Sequence, residues 1–289
     1  MVQLEIPELN KDNVRMKDKD DVFKKIEKII TDGKQKLQII TDFDRTVSKY
    51  HHNGETTKSS YCVFETIPTL PKEFTDGAQS LYNKFRKIED NPNMTVEEKI
   101  PYMEEWWDLN EKLFLGLPYN EKEIAQAIID SEVTLRDGTD SAFLRLYLSE
   151  VPVLVFSAGL GNVVSAILSH YNIKYNNVHV ISNFFKVEQG KIIGFEGTLL
   201  HVFNKNQYAI ESCDYFKELA PRENVILMGD SLGDASMAEG VQGNGCILKI
   251  GFLSINIEQF LPQYLEKFDI VLLDDQTMNV FNAILNKIL

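Results

Sequence analysis

Apolar residues along this chain keep two rhythms. Short, continuously apolar runs alternate with stretches in which apolar side chains recur every three or four positions. The first pattern marks strands buried on both faces and the second marks helices. The run Leu37 to Thr41 follows an amphipathic helix around Val22 to Ile30 that stops near Asp32-Gly33. From Val151 onward, runs and helices alternate. Pro152 to Phe156, Val178 to Ser182, Asn224 to Met228, Cys246 to Ile250 and Ile270 to Leu273 read as strands. A helix is predicted over Val163 to Leu168 and a terminal one from about Met278, and Phe185 to Gly197 reads as a hairpin turning at Glu188-Gln189-Gly190. Apolar strands separated by helices predict an α/β fold with a mostly parallel sheet covered on both faces.

Between Thr46 and about Ile129 the pattern is helical with no convincing strand, which predicts a helical subdomain inserted after the first strand. Within it, Thr95-Val96-Glu97-Glu98 forms a capping box ahead of Tyr102, Trp106 and Leu109. Pro101 lies inside that pattern, so the helix is expected either to kink there or to begin after the box.

Composition narrows the partners. At 289 residues, 44% hydrophobic and 25% charged, the chain reads as a soluble globular core with a second, smaller unit. A formal charge of −13 argues against a nucleic-acid polymer, which needs basic surface, but leaves room for a small anion received by a metal and local donors. Cys62, Cys213 and Cys246 are far apart, with no metal-ligand spacing, and are expected to stay reduced in a cytoplasmic setting. Neither a signal-like N-terminus nor an apolar run long enough to span a membrane is present in the sequence.

Chemistry gathers where the apolar runs end. Asp42-Phe43-Asp44-Arg45-Thr46 places two carboxylates two residues apart directly after the first strand, at the end where open α/β sheets hold their ligands. The first could attack phosphorus and the second could move the proton. An aspartate attacks a phosphate dianion poorly unless a cation offsets the repulsion, so this reading predicts a divalent metal and further acids downstream. Gly229-Asp230-Ser231-Leu232-Gly233-Asp234 supplies two such acids at another strand end, although the same residues also suit a turn. Oxygen donors without histidine or cysteine point to Mg²⁺. Ser157-Ala158-Gly159 offers a hydroxyl and close backbone N–H groups before a helix, as a phosphate cradle, a helix cap or both. Lys205 falls between these segments with the reach to meet a phosphate.

Taken together, these four segments resemble the haloacid-dehalogenase-like phosphatases, which carry an Asp-x-Asp-x-Thr loop, a Ser or Thr after the second core strand, a lysine and a closing acidic loop, in that order. Leu37 to Asp44, Thr95 to Lys99, Phe156 to Gly159, His201 to Lys205 and Leu248 to Gly251 further resemble the cytosolic 5′-nucleotidase III group. The resemblance implies a Rossmann-like, doubly wound core over residues 1–48 and 131–289 with an all-helical cap over 49–130. It implies Asp42 as nucleophile and Asp44 as acid and base. It gives Mg²⁺ the Asp42 side chain, the Asp44 carbonyl and Asp230 as ligands. Ser157, the Ala158 N–H and Lys205 are then expected on the phosphate, with Ser231 and Asp234 in support. The implied partner is a nucleoside monophosphate, bound by a monomeric chain with neither nucleic-acid polymer nor membrane.

Base recognition falls to the cap. Glu89 matches the position where the group uses a glutamate facing the nucleoside. Trp107 stands where pyrimidine-preferring members often have tyrosine, and opposed by Phe64 or Tyr61 it could sandwich a purine. Trp106, about 100° away around the helix, is expected in the cap core. A cationic 7-methylguanine would add a cation–π contribution of roughly 0.5–2 kcal/mol to such stacking. The expected substrate is therefore 7-methylguanosine 5′-monophosphate with CMP also accepted, against the alternatives of a UMP/CMP nucleotidase, net phosphotransfer to a nucleoside, or a catalytically silent phosphate-binding regulator.

Overall fold

The computed structural model describes residues 4–91, 93–205, 219, 221–239, 241 and 243–289. Its main sheet has seven strands in the order β1 (Val14–Arg15), β11 (Ile270–Leu273), β10 (Ile247–Leu253), β9 (Asn224–Gly229), β2 (Leu37–Thr41), β5 (Val153–Leu160) and β6 (Val178–Asn183). Only the pairing of β1 with β11 is antiparallel; the other pairs run parallel. All residues of β2 and β9 are buried, as continuous apolar runs require when both sheet faces are covered. Alternation then divides the core: Ile39, Val155 and Met228 pack on one face, while Ile40, Leu154 and Leu227 pack on the other. Around the sheet lie α1 (Lys19–Asp32), α6 (Thr139–Leu148), α7 (Gly161–His170), the helix Ile257–Lys267 and the C-terminal helix Asn279–Ile288. Among the described residues no helix is long and apolar enough to cross a membrane.

Between β2 and β5 come α2 (Ser60–Glu65), α3 (Lys72–Glu89), α4 (Val96–Phe114) and α5 (Glu121–Asp130), with a small antiparallel pair of strands, β3 (His51–His52) and β4 (Glu55–Thr56), ahead of them. That pair corrects the expectation of an insertion without strands; two residues per strand leave too short a pattern for alternation to register. Helix α4 starts at its capping box. Thr95 Oγ1 accepts from Glu98 N–H while Glu98 Oε2 accepts from Thr95 N–H, and Pro101 sits inside the helix without delaying its start.

The hairpin of β7 (Phe185–Glu188) and β8 (Lys191–Phe195) turns where the sequence predicted. Its side chains pack with the inserted helices. Phe185 lies 5.2 Å from Phe64, and Phe195 lies 5.4 Å from Phe114. Backbone bonds reinforce the junction: Gly116 N–H donates to Ile192 O, and Tyr119 N–H donates to Gly190 O. Cys62 and Cys246 are free thiols, while Cys213 lies outside the described residues.

Candidate active site

Three neighbouring strands deliver the acidic and polar residues to one end of the sheet. Thr41 pairs in register with Val155 on one side and Met228 on the other, so Asp42, Phe156 and Gly229 follow at one level. Asp42 follows at once, its N–H still donating to Met228 O, and it is 5% exposed. Lys205 Nζ, also buried, lies 2.6 Å from Asp42 Oδ1 and 2.5 Å from Asp234 Oδ1, and donates to the carbonyl of Phe156. Asp234 Oδ2 accepts from Asp230 N–H, Ser231 N–H and Ser231 Oγ at 2.8 to 3.1 Å. Oδ2 of Asp234 is thus taken by three protein donors, while Oδ1 meets the Lys205 ammonium as an ion pair. Gly229 makes room for this fold-back, since a Cβ there would lie 2.2 Å from that of Asp234.

Electrostatics here are those of a site built for a cation. Ligand atoms of Asp42, Asp230 and Asp234 lie within 4.8 Å of one another. Burial, with Asp234 and Asp230 adding to it against Lys205, holds Asp42 well above the usual carboxylate range. Burial and then Asp234 push Asp230 up to about 7. Burial works against the charge of Lys205, but Asp234 and Asp42 together raise it above its ordinary value. One ammonium among two buried carboxylates and the half-buried Asp230 leaves surplus negative charge, which is costly without a further positive partner. Asp42, Asp230 and Asp234 together offer the carboxylate oxygens that a hard, oxygen-seeking divalent ion takes, and the donor set fits one.

Ser157 loses one of the two roles left open, that of helix cap. It lies within β5, which runs on to Leu160 with an irregular register between Phe156 and Leu160, so Ser157 stands four residues ahead of α7 and does not cap it. The cradle it belongs to is a strand end. Ser157 Oγ accepts from Gly159 N–H at 3.0 Å, and the serine, Ala158 and Gly159 all line the cavity above Asp42.

That cavity, about 1110 Å³, extends from the acidic floor to the inserted helices. Tyr61, Glu89, Trp106 and Trp107 all border it. Tyr61 OH donates to Asn110 Oδ1 at 2.8 Å, and Trp107 meets Phe195 edge to face at 5.9 Å. Trp106 is half-buried, stacked on Phe85 at 5.7 Å, and faces the cavity instead of disappearing into the core. Phe64 does the opposite. It is 1% exposed among Phe74, Phe114 and Phe185, so of the two aromatics weighed as partners for Trp107 only Tyr61 reaches the cavity. Glu89 is paired with Arg86 at 3.0 Å, and Arg86 also meets Asp90.

Of the residues around the site, Ser60 and Arg136 carry no signal in the sequence, while His201 and Arg45 lie in segments that the sequence singles out without a role for either. Ser60 bonds both oxygens of Asp44. Arg136, 1% exposed, donates to the carbonyls of Arg45, Thr46 and Asp275 and stacks on Phe252 at 3.9 Å. His201, buried, accepts from Phe203 N–H through Nδ1. Arg45 holds a left-handed backbone (φ 67°), with its guanidinium 5.0 Å from the Tyr50 ring at the edge of the cavity. Ser60 and Arg136 act across 16 and about 90 residues of chain, beyond any local motif.

Comparison with known proteins agrees with this architecture. A solved phosphoserine phosphatase, a phospho-aspartyl intermediate analogue, shares the fold alone, at 21% identity and a TM-score of 0.51 over 88% of this chain and 99% of that one. The structure of cytosolic 5′-nucleotidase IIIB bound to cytidine is far more similar: 40% identical, TM-score 0.94, covering 98% of this chain and 96% of that one. The 7-methylguanosine phosphate-specific 5′-nucleotidase A of Xenopus laevis is 39% identical over 283 residues, 98% of each chain. The family model described as pyrimidine 5′-nucleotidase (UMPH-1) matches residues 45–289. With the family model spanning most of its length and such relatives matched almost end to end, the chain belongs to the pyrimidine 5′-nucleotidase (UMPH-1) family.

Proposed function

We propose that this chain is a Mg²⁺-dependent 5′-nucleotidase that hydrolyses 7-methylguanosine 5′-monophosphate by preference and also accepts CMP. The observation that carries the reading is the convergence of Asp42, Lys205, Asp234 and Asp230 on the floor of a cavity whose wall presents Tyr61, Trp107 and Glu89. Residues 49–130 serve as the cap, joined by the hairpin of β7 and β8, on a core of 1–48 and 131–289. The chain acts as a monomer in the cytosol on a small-molecule nucleotide.

Asp42 attacks phosphorus in line with the ribose oxygen. The P–O5′ bond breaks, and its electron pair goes to O5′, which takes the proton from Asp44. The nucleoside leaves and the phosphoryl group remains on Asp42. Asp44, now a carboxylate, takes a proton from water as that water attacks phosphorus, the bond to Asp42 breaks, and inorganic phosphate is released. Ser157, the Ala158 N–H and Lys205 face the transferring oxygens, where stabilisation of phosphoryl transfer is concentrated. Asp42, the Asp44 carbonyl and Asp230 are the ligands assigned to Mg²⁺, which when bound supplies positive charge against the phosphate. Asp234 keeps Lys205 oriented.

Tyr61 and Trp107, both on the cavity wall, support stacking of a base, and Glu89, which lines the same cavity, is the acceptor we assign to the N1–H and N2–H₂ edge of a guanine. The Xenopus relative's specificity supports the methylated purine; the cytidine held by the solved homologue supports CMP. Phosphate release is measured with 7-methyl-GMP, CMP, UMP and GMP, with and without EDTA, on wild type and Asp42→Asn. We expect turnover of 7-methyl-GMP and CMP, lost in EDTA and in Asp42→Asn. Absence of release from every nucleotide would make the chain a silent phosphate binder, and CMP or UMP preferred over 7-methyl-GMP would make it a pyrimidine nucleotidase.

A further inference from the structure

Asp44 is gripped by a residue outside the four phosphatase segments. Ser60 N–H donates to Asp44 Oδ1 at 2.7 Å and Ser60 Oγ donates to Oδ2 at 2.6 Å, so both carboxylate oxygens are held by one residue. Ser60 is itself fixed. It is 1% exposed, it opens α2, and its Oγ accepts from Leu160 N–H at 3.3 Å. With that N–H taking up an oxygen lone pair, the hydroxyl hydrogen is left to point at Asp44. Gly159 leaves the space for this contact: a Cβ there would lie 2.1 Å from Ser60 Oγ and 2.7 Å from Asp44 Oδ2.

We infer that Ser60 is a positioning residue for the proton-transfer step, setting the rotamer of Asp44 from the first inserted helix and tying it to the strand end that carries Ser157. A two-point grip removes the rotational freedom of a short side chain. General acid catalysis depends on that placement, because the donor must meet the leaving oxygen within hydrogen-bond reach. Seating of α2 therefore becomes a condition for a competent acid, and the inserted helices contribute to chemistry as well as to base recognition. This inference rests on the nucleotidase reading above.

The test compares leaving groups. A ribose alkoxide needs a proton as it departs, whereas 4-nitrophenolate does not. For Ser60→Ala we expect kcat on CMP to fall roughly 10- to 100-fold with KM unchanged, while the first-turnover burst of nitrophenolate from 4-nitrophenyl phosphate keeps its wild-type rate. Ser60→Thr, which retains the amide and the hydroxyl, is expected to recover most of the lost turnover, and it carries the test if Ser60→Ala fails to fold. Equal losses in the CMP and burst assays, or no recovery in Ser60→Thr, would overturn the inference. A wild-type enzyme active on nucleotides with an unaffected Ser60→Ala would overturn it alone; an inactive wild type would overturn the nucleotidase reading and this inference with it.

Discussion

Lys205 and His201 face the same cavity, and burial works against the charge of both, yet they end in opposite states. Lys205 stays charged because two carboxylates stand within hydrogen-bond distance. Among the described residues no carboxylate is paired with His201, and burial lowers it from 6.5 to about 4. Its Nδ1 accepts a backbone N–H, an arrangement open only to the neutral ring. In the unfolded chain the same ring protonates near 6.5, so below that pH unfolding takes up a proton that the native state refuses. Its share of stability is full above 6.5 and is lost progressively as pH falls towards 4. Urea unfolding at pH 7, 6 and 5 should show that decline, and His201→Gln should flatten its slope; an unchanged slope would remove the ring from the account. Asp42, Asp44, Ser157, Lys205, Asp230 and Asp234 were legible in the sequence because each lies within a few residues of a predicted strand end or between two of them, so strand order alone brings them together. Ser60 and Arg136 were not, since nothing near either residue announces a partner so far away in the chain. Phe64 and Tyr61, three residues apart, could only be separated by seeing which one the aromatic cluster enclosed.

Elements whose ends are written in local chemistry were read closely. The start of α4 follows from the reciprocal bonds of Thr95 and Glu98, both of which terminate backbone or side-chain groups that would otherwise lack a partner. Thr95→Ala removes the acceptor for Glu98 N–H and should cost about 0.5–2 kcal/mol, measured by denaturant unfolding, with less than that if the helix can begin at Pro101 instead. Elements that depend on a partner were read poorly. Ser157-Ala158-Gly159 has turn composition, and it stays extended because β5 reaches as far as the pairing of Leu160 with Asn183 on β6. The distinction affects the chemistry. A helix N-terminus would offer only free N–H groups, whereas this strand end leaves Gly159 flat against Asp44 and Ser60.

At the scale of the molecule, the inserted helices and the β7–β8 hairpin share one aromatic core. Phe114, fully buried, touches Phe64, Phe74, Phe185 and Phe195, while Trp107 leans on Phe195. Phe114→Ala should therefore destabilise the protein by roughly 3–5 kcal/mol in chemical denaturation and also raise KM for nucleotides, because the wall of the cavity loses its backing. A stability loss with KM untouched would show that the wall stands without it. Hydrophobic pattern predicted helices here and a hairpin there, but it carries no information about which helix a hairpin will meet. The link from Arg136 to the carbonyls of Arg45, Thr46 and Asp275 joins the loop bearing the aspartates to the segment that leads into the C-terminal helix. In a survey of variants scored by turnover alone, position 136 would rank beside the aspartates although it meets no substrate, and an inherited change there would pass for a catalytic lesion while being one of architecture.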